Sequence, residues 1–345
     1  MQVDPTDAGS KAYCTYFDSR YLPRAKAMIL SLRSVGEHGP VLALCFDEEA
    51  FVEMNSFGKG VLALRLTDLE EAFPQLLSVK EARSTAEYFF TTTPWLVLLT
   101  RQHFPDAEWV TYLDADLYFF APVSDIYDEL EPGSCGIIAH NYLPKYQKLE
   151  KYGHYNVGWV SFRSNNDGAS VLKWWADRCL EWCHDTPEDG RFADQGYLDH
   201  FKEVASSVID IQHPGANVAP WNLGSRSTTY DNETVAIDGN PLLFFHFHGF
   251  RRRGARYYAS HIEYGAKTTK TTRRYIYEPY VRALDEAEGD SNSHAATGAR
   301  RGRGFRAWAL QQRRNLYDLA ARIRGESYPA KVKGSRAVDT KGLKE

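Results

Sequence analysis

Short, almost continuously apolar runs alternate along this chain with longer segments whose apolar residues recur at helical spacing. The apolar runs predict strands at residues 12–16, 41–46, 61–66, 109–113, 135–139, 157–162 and 242–247. The helical spacing predicts helices at residues 22–32, 79–101 with an interruption near Pro94, 169–183 and 193–201. Because strands and helices alternate, we expect an α/β fold whose sheet is covered by helices on both faces. Ligands of such sheets bind beyond the carboxyl ends of the strands.

One predicted strand ends in two closely spaced carboxylates, Asp114 and Asp116, within the segment VTYLDADLYFF. Side chains two positions apart in an extended chain point the same way, so the carboxylates would repel each other unless a cation lay beside them. Hard oxygen ligands of this kind suit Mg²⁺ or Mn²⁺. The pattern is short, and aspartates in turns also accept backbone N–H groups. The sequence therefore leaves two interpretations open, a metal site and a turn.

Composition narrows the class of protein. With 345 residues, 43% hydrophobic and 14% aromatic, the chain can bury one large core or two modest ones. Its longest apolar runs fall far short of the roughly 20 residues of a membrane span, and its N-terminus lacks the apolar core of a signal peptide. We therefore expect a cytoplasmic protein. The five cysteines are scattered and odd in number, so we expect reduced, mostly buried thiols.

The segment from Tyr112 to Asp116 resembles the metal-binding motif of nucleotide-sugar glycosyltransferases with the GT-A fold, most closely the retaining family-8 type. Further segments match that family in order over about residues 12–255. They are Phe17-Asp18-Ser19-Arg20-Tyr21, Tyr155-Asn156-Val157-Gly158, Asp194-Gln195, Pro220-Trp221-Asn222 and His246-Phe247-His248-Gly249. The resemblance implies a GT-A mixed sheet flanked by helices, in a hexosyltransferase that uses a nucleotide sugar.

The resemblance also assigns roles to single residues. It implies that Asp18 and Tyr21 bind the nucleotide, and that Asn156, Asp194 and Gln195 form the catalytic pocket. Each of these has a structural alternative, because Asp194 could cap its helix and Asn156 could shape a turn.

The metal set follows from the last matching motif, in which the first histidine is the third protein ligand of the ion. His246 would then join Asp114 and Asp116, and Gly249 would complete the motif beside the donor. His248 is the rival ligand, since it points the same way two residues later. An imidazole beside two carboxylates suits Mn²⁺ better than Mg²⁺. Trp221 could belong to the core or stack on a sugar face.

Three positions depart from the family pattern. Arg20 replaces the usual Asn of the nucleotide segment. The Arg expected in the helix before the two aspartates to contact the donor is offered only by Arg83, at a different offset. Among the arginines at 251–253, spacing favours Arg252 as the cation for the diphosphate, since Arg grips phosphate in a bidentate way. The donor sugar therefore stays open.

The chemistry implied is cleavage of a sugar–phosphate bond, with the ion acting as a Lewis acid on the departing diphosphate. Retention is favoured, either by double displacement at Asp194 or Gln195 or by front-face attack. Inversion with Asp194 as base, a GDP-sugar donor and a non-enzymatic sugar-nucleotide-binding relative remain alternatives. The acceptor would be a glycan or a lipid-linked glycan.

The C-terminal region has a different composition. From residue 299 onward, 13 Lys or Arg stand against 4 acidic residues, whereas the preceding residues carry a net charge of −13. We predict a catalytic domain over 1–283, a linker over 284–302, and a basic amphipathic helix with a mobile tail over 303–345. That helix could lie on an anionic membrane or pack on a protein surface. No nucleic-acid motif accompanies the basic residues, so nucleic-acid binding is not expected.

Overall fold

The structure, a computed structural model, describes residues 11–264, 266, 268–289 and 316–330. The strands are β1 (Lys11–Phe17), β2 (Val41–Cys45), β3 (Val61–Arg65), β4 (Trp109–Leu113), β5 (Leu117–Phe119), β6 (Cys135–Ala139), β7 (Tyr155–Arg163), β8 (Val208–Asp210), β9 (Thr228–Asp231), β10 (Thr234–Ile237), β11 (Asn240–Pro241), β12 (Phe244–His246), β13 (Arg251–Arg253), β14 (Arg256–Tyr258) and β15 (Ser327–Pro329).

The α-helices are α1 (Leu22–Ser34), α2 (Glu48–Phe57), α3 (Leu66–Ala72), α4 (Leu77–Lys80), α5 (Thr85–His103), α6 (Ser124–Leu130), α7 (Asn166–Glu181), α8 (Phe201–Val204), α9 (His261–Tyr264), α10 (Lys270–Thr272) and α11 (Glu278–Gly289). Turns of 3₁₀-helix lie at Pro74–Leu76, Pro144–Tyr152, Gln195–His200 and Leu223–Ser225, and a π-helical turn lies at Arg273–Tyr277.

Seven strands form the central sheet in the order β3-β2-β1-β4-β7-β6-β8. Strand β7 runs antiparallel to β4 and β6, whereas the other pairings are parallel. The predicted mixed α/β sheet is therefore confirmed. The central strands are mainly apolar and buried because both faces of the sheet are covered. Ala12 and Cys14 pack against α5, whereas Tyr13 between them packs against α1 on the other face.

The predicted interruption of a helix near Pro94 is wrong. The break lies earlier, because Ser84 starts α5 with a capping box in which its hydroxyl accepts the Glu87 N–H and the Glu87 carboxylate accepts the Ser84 N–H. The helix then continues through Pro94, which is buried along with its neighbours. Burial on the sheet therefore outweighs the backbone hydrogen bond that proline cannot make.

Two further element predictions need correction. The helix predicted at 193–201 is a 3₁₀ turn followed by the short helix α8. The strand predicted at 242–247 is shortened to β12, which pairs with β5 outside the central sheet. All five cysteines are free and buried, as predicted.

The C-terminal prediction is wrong at two places. Residues 284–289, predicted as linker, continue helix α11, because Leu284 and Ala287 are buried at helical spacing. Residues 327–329 form β15 rather than a mobile tail, and Tyr328 is fully buried against β14. Residues 316–323 are helical, as predicted; the rest of the predicted linker, helix and tail, 290–315 and 331–345, lies outside the described residues.

Over the described part, no helix is both long enough and apolar enough to cross a bilayer.

Candidate active site

Three side chains from two distant parts of the chain meet at the carboxyl end of β4. Asp114 directly follows β4, and Asp116 precedes β5, whose antiparallel pairing with β12 places His246 opposite Leu117. His246 Nε2 lies 3.1 Å from Asp116 Oδ1 and 3.6 Å from Asp114 Oδ2. The potential ligand atoms of the three residues lie within 4.8 Å of one another. A single ion could therefore contact all three side chains.

The neighbouring strand β7 supports this arrangement. The Gly158 carbonyl accepts the Asp114 N–H at 3.0 Å, and a Cβ at Gly158 would lie 2.9 Å from His246 Nδ1. Asn156 Oδ1 lies 3.2 Å from the same Nδ1. When Nδ1–H donates to Asn156, the lone pair of Nε2 faces the two carboxylates. Gly158 thus leaves room for the imidazole, and Asn156 orients it.

The electrostatics of the group favour a cation. Burial raises the pKa of Asp114, even though the nearby His246 charge and the Tyr112 hydroxyl, which donates to Asp114 Oδ1 at 2.9 Å, oppose this. Burial acts in the same direction on Asp116, but the charge and hydrogen bond of His246 outweigh it and lower the pKa of Asp116 to about 2. Although burial lowers the pKa of His246, the two carboxylates raise it overall. In the absence of metal, the two carboxylates therefore favour the protonated form of His246.

The donor set fits a divalent ion. Two carboxylates and one imidazole match the mixed oxygen and nitrogen preference of Mn²⁺, whereas Mg²⁺ is usually bound through oxygen and keeps several waters. Both carboxylates are half-buried and line a cleft, while His246 is buried behind them. The arrangement leaves one side of the group accessible from the cleft. The identity of the metal is not fixed by this geometry.

The cleft has a volume of about 600 Å³ and is lined mainly by aromatic side chains. Its wall includes residues that follow β1, β2 and β4, together with residues of α5 and of the loop between α7 and α8. This position beyond the carboxyl ends of parallel strands agrees with the ligand site expected for an α/β sheet. The volume is in the range of pockets that hold small-molecule ligands.

Asp194 is the buried carboxylate on the wall of the cleft contributed by the loop after α7. It is 4% exposed, and its Oδ2 has no hydrogen-bond partner among the described residues. Burial and the charge of Asp114 raise its pKa to about 7, against the effect of Thr93. The preceding Ala193 has a positive φ of 46°, and the Asp194 carbonyl accepts the Trp175 Nε1–H at 2.9 Å. The backbone thus holds Asp194 in place while one carboxylate oxygen stays unpaired.

Gln195, next to it, is fully engaged with the protein. Its Oε1 accepts the Asn156 side-chain amide at 3.1 Å and the Val157 N–H at 3.3 Å, and its Nε2 donates to the Tyr152 carbonyl at 2.8 Å. Of the predicted catalytic pair, Asp194 is therefore the one that keeps a carboxylate oxygen without a hydrogen-bond partner among the described residues, and that oxygen is buried. Gln195 instead ties the Asp194 loop to Asn156 and so to the imidazole of His246.

Asp18 and Tyr21, the predicted nucleotide-binding residues, both line the cleft. Asp18 Oδ1 accepts the N–H groups of Arg20 and Tyr21 at 3.0 and 3.3 Å, and its Oδ2 accepts Arg20 Nε at 2.7 Å. Asp18 therefore caps the turn that leads into α1 and also lines the cleft. Tyr21 is 45% exposed, so its ring is accessible to a ligand.

Trp221 and Gly249 lie near the histidine of the metal group. Trp221 is buried at 2% exposure, its Nε1–H donates to the His140 carbonyl at 2.9 Å, and its ring packs edge-on against His246 at 5.1 Å. It lines the cleft while acting mainly as a support for His246. Gly249 has a φ of +68°, which favours glycine at the turn after His248. His248 lines the cleft outside the three-residue group.

The structure does not bring Arg83 or Arg252 to the cleft, which corrects both predictions. The Arg83 guanidinium donates to the Leu180 carbonyl at the end of α7, at 2.6 Å, and to the Thr91 hydroxyl. Arg252 pairs with Glu288 of α11 on an exposed hairpin. The neighbouring arginines of the same strand are likewise paired, with Glu263 and Asp318.

Sequence reasoning did not identify the aromatic lining of the cleft. These residues are Tyr16, Phe46, Phe89, Phe90, Tyr142, Tyr152, Phe192 and Tyr264. They come from separate elements, so no local spacing marks them as a group. Tyr112 could have been found, because it lies two residues before Asp114 and so shares its side of the strand.

Comparison with curated proteins finds two relatives in Bacillus subtilis strain 168. The chain is 34% identical to the uncharacterized protein YfnF over 285 residues, which cover 80% of this chain and 92% of YfnF. It is 26% identical to the uncharacterized protein YfnD over 284 residues, covering 80% of this chain and 90% of YfnD. No family model matches the chain.

Solved structures include more distant neighbours. The galactosyltransferase LgtC, crystallised with donor and acceptor sugar analogs, gives a TM-score of 0.48 at 13% identity and covers 82% of this chain and 96% of LgtC. Mouse xyloside xylosyltransferase 1 in its apo form gives a TM-score of 0.40 at 12% identity. The match covers 61% of this chain and 87% of the mouse protein. Likenesses this distant carry no argument about the chemistry of the present chain.

Proposed function

The chain belongs to the family of the Bacillus subtilis protein YfnF, and we propose that it is a metal-dependent glycosyltransferase of the GT-A type. It would transfer a sugar from a nucleoside diphosphate, preferably UDP, to a glycan or glycolipid acceptor with retention of configuration. The donor base and the stereochemistry follow the sequence resemblance to family-8 enzymes. The GDP-sugar and inverting alternatives stay open.

One observation carries the proposal. The potential ligand atoms of Asp114, Asp116 and the sequence-distant His246 lie within 4.8 Å of one another, in a cleft that Asp194 also lines. Acidic groups close together are common on protein surfaces, but here a buried imidazole faces both of them. A site for a nucleoside-diphosphate sugar has to offer a cation to the diphosphate and a polar group to the sugar. The three-residue group and Asp194 would supply these two functions in one cleft.

The three side chains would hold a divalent ion, which when bound supplies positive charge to the departing diphosphate. Asn156 orients His246 through Nδ1, and Tyr112 donates to Asp114 Oδ1. These contacts fix the ligands before substrate arrives, so little reorganisation is needed at the moment of reaction.

Asp194 would act on the sugar. Its unpaired Oδ2 can accept a hydrogen bond from a sugar hydroxyl or approach the anomeric carbon as a nucleophile, and with a pKa of about 7 it is partly ionised at neutral pH. In an inverting enzyme the same oxygen could take the acceptor proton. Gln195 would hold the Asp194 loop in register rather than react, because both ends of its amide are already bonded.

The C-terminal helix bears on localisation. Leu316, Leu319 and Ile323 occupy one helical stripe and are 67%, 54% and 78% exposed, and many arginines precede them in the sequence. We propose that this stripe contacts an anionic membrane surface from the cytoplasmic side, which would bring a lipid-linked acceptor near the cleft. Sedimentation with vesicles containing anionic lipid, compared with neutral vesicles, tests this. Equal binding to both, or to neither, would exclude it.

A donor screen tests the enzymatic proposal. Thermal unfolding with Mn²⁺ and each of UDP, GDP, CDP and dTDP should give a raised Tm for the metal and a further rise for one nucleotide. Hydrolysis of the corresponding nucleotide sugars should depend on Mn²⁺ and stop with a chelator. His246→Ala should lose the Mn²⁺ effect, whereas His38→Ala, an exposed histidine away from the cleft, should keep it.

A non-enzymatic relative would give a different pattern. It would bind nucleotide and metal with the same rise in Tm but would release no sugar from any donor. The absence of a response to both metal and nucleotides would reject the proposed function altogether.

A further inference from the structure

Arg24, in the first turn of α1, connects two segments of the chain that contribute residues to the cleft. Its Nη2 donates to the Phe250 carbonyl at 2.7 Å and its Nη1 to the Arg20 carbonyl at 3.4 Å. Its guanidinium carbon lies 4.4 Å from the centroid of the Tyr21 ring. One side chain thus contacts both the turn at 18–21 and the segment that follows His246.

From Phe250, backbone hydrogen bonds lead to the metal group. The Phe250 N–H donates to the Phe247 carbonyl at 3.0 Å, and the Phe247 N–H donates to the Asp116 carbonyl at 2.9 Å. Phe247 is also the neighbour of His246 in the chain. A displacement of Arg24 would therefore be transmitted to two of the three proposed metal ligands.

Other cations do not make this connection. Arg20, the only lysine or arginine among the described residues that line the cleft, is paired with Asp18. The arginines at 251–253 are paired on a hairpin outside it. Arg24 is half-buried and has no carboxylate partner among the described residues, while its positive charge is felt by Asp116.

We propose that Arg24 is a positioning residue that couples the turn at 18–21, the proposed nucleotide site, to Asp116 and His246 when a nucleoside diphosphate binds. The proposal rests on the proposed function above. By holding the Phe250 carbonyl and the Arg20 carbonyl in one guanidinium fork, Arg24 fixes the separation between Tyr21 and the metal ligands. The positive charge of Arg24 also offsets part of the negative charge of Asp116.

The coupling makes two binding events respond differently to Arg24→Met. Affinity for UDP in saturating Mn²⁺, or for GDP if the screen selects it, should fall about tenfold, because the turn that carries Asp18 and Tyr21 is no longer held to the segment after His246. Affinity for Mn²⁺ alone should stay unchanged or rise, because a positive charge near Asp116 is removed. Arg24→Lys, which keeps the charge but not the fork, should retain the wild-type Mn²⁺ affinity and recover UDP affinity only in part.

Arg33→Met is the matched control. Arg33 lies on the last turn of the same helix, is half-buried and donates to the carbonyls of Lys59 and Glu37 at 3.0 and 2.7 Å. Its loss should lower Tm by an amount similar to Arg24→Met but leave both affinities unchanged.

Isothermal titration of the full chain with Mn²⁺, then with nucleotide, measures these affinities. Equal weakening of both ligands by Arg24→Met would mean a merely structural role and overturn the proposal, as would an unchanged UDP affinity. A wild-type protein that binds neither ligand would instead reject the proposed function, and that result is seen before any variant is compared.

Discussion

The pKa values of two aspartates in the same cleft are shifted in opposite directions, and their surroundings explain why. Asp116 faces His246 at 3.1 Å and has a pKa lowered to about 2, whereas Asp194 has no cationic partner among the described residues and a pKa raised to about 7. Both are taken out of water, which alone would raise both values. The pairing with an imidazole therefore distinguishes a carboxylate that holds charge from one that can exchange a proton.

The difference separates two tasks in one site. A metal ligand must stay ionised over the whole working range of pH, while a group that exchanges protons or attacks a carbon benefits from a pKa near neutrality. Asp116, after β4, meets the first requirement, and Asp194, in the loop after α7, meets the second.

The largest effect is expected on the metal side. Asp116→Asn removes the charged partner of His246, so metal-dependent turnover of the nucleotide sugar should fall on the order of 10²–10³-fold. The rise in Tm with Mn²⁺ should disappear as well. Asp106→Asn, at an exposed turn outside the cleft, is the control and should behave as wild type. Retention of Mn²⁺-dependent turnover in Asp116→Asn would remove Asp116 from the metal site.

On the opposite wall, Asp194→Asn should reduce turnover on the order of 10²-fold while leaving the Mn²⁺-induced rise in Tm intact. Wild-type turnover should increase with pH through about 7, since ionised Asp194 is the active form, and the variant should lack this step. The pH profile of kcat measures it. Equal loss of the metal effect would show that the two walls are not independent.

Stability should show the same contrast without any substrate. The pKa of Asp194 rises from 3.8 in the unfolded chain to about 7 when folded, so the folded state binds more protons between about pH 4 and 7. The free energy of unfolding contributed by this group therefore decreases as pH rises through that window, by at most roughly 4 kcal/mol. Urea unfolding of metal-free protein at pH 5 and pH 8 should show Asp194→Asn gaining stability relative to wild type at the higher pH. A constant difference between the two proteins would contradict the raised pKa.

Much of the sheet could be predicted from sequence, since its strands are buried on both faces and read as apolar runs. Strand β4 and the position of Asp114 and Asp116 at its end followed from that pattern and from the α/β ligand rule. The location of His246 beside them did not, because β12 pairs with β5 outside the central sheet. It came instead from the family resemblance.

The errors share a physical origin. Pro94 was expected to interrupt a helix on local grounds, but burial keeps α5 continuous around it. Residues 284–289 resembled a charged linker in composition, yet buried Leu284 and Ala287 hold them in α11. Arg83 and Arg252 were chosen by spacing, which does not reveal the carbonyl or carboxylate that each one meets in the fold.

Replacement of Arg83 is expected to have the smallest effect on catalysis. It tests directly whether spacing in the sequence is enough to assign an arginine to the donor. Its guanidinium joins the start of α5 to the end of α7 through the Leu180 carbonyl, so Arg83→Ala should lower Tm. Turnover and the affinity for nucleotide should stay within about threefold of wild type, because the residue is not among those lining the cleft. Measuring KM for the donor beside Tm separates the outcomes. A large rise in KM with unchanged Tm would place Arg83 at the donor, and would mean that α5 rearranges when substrate binds.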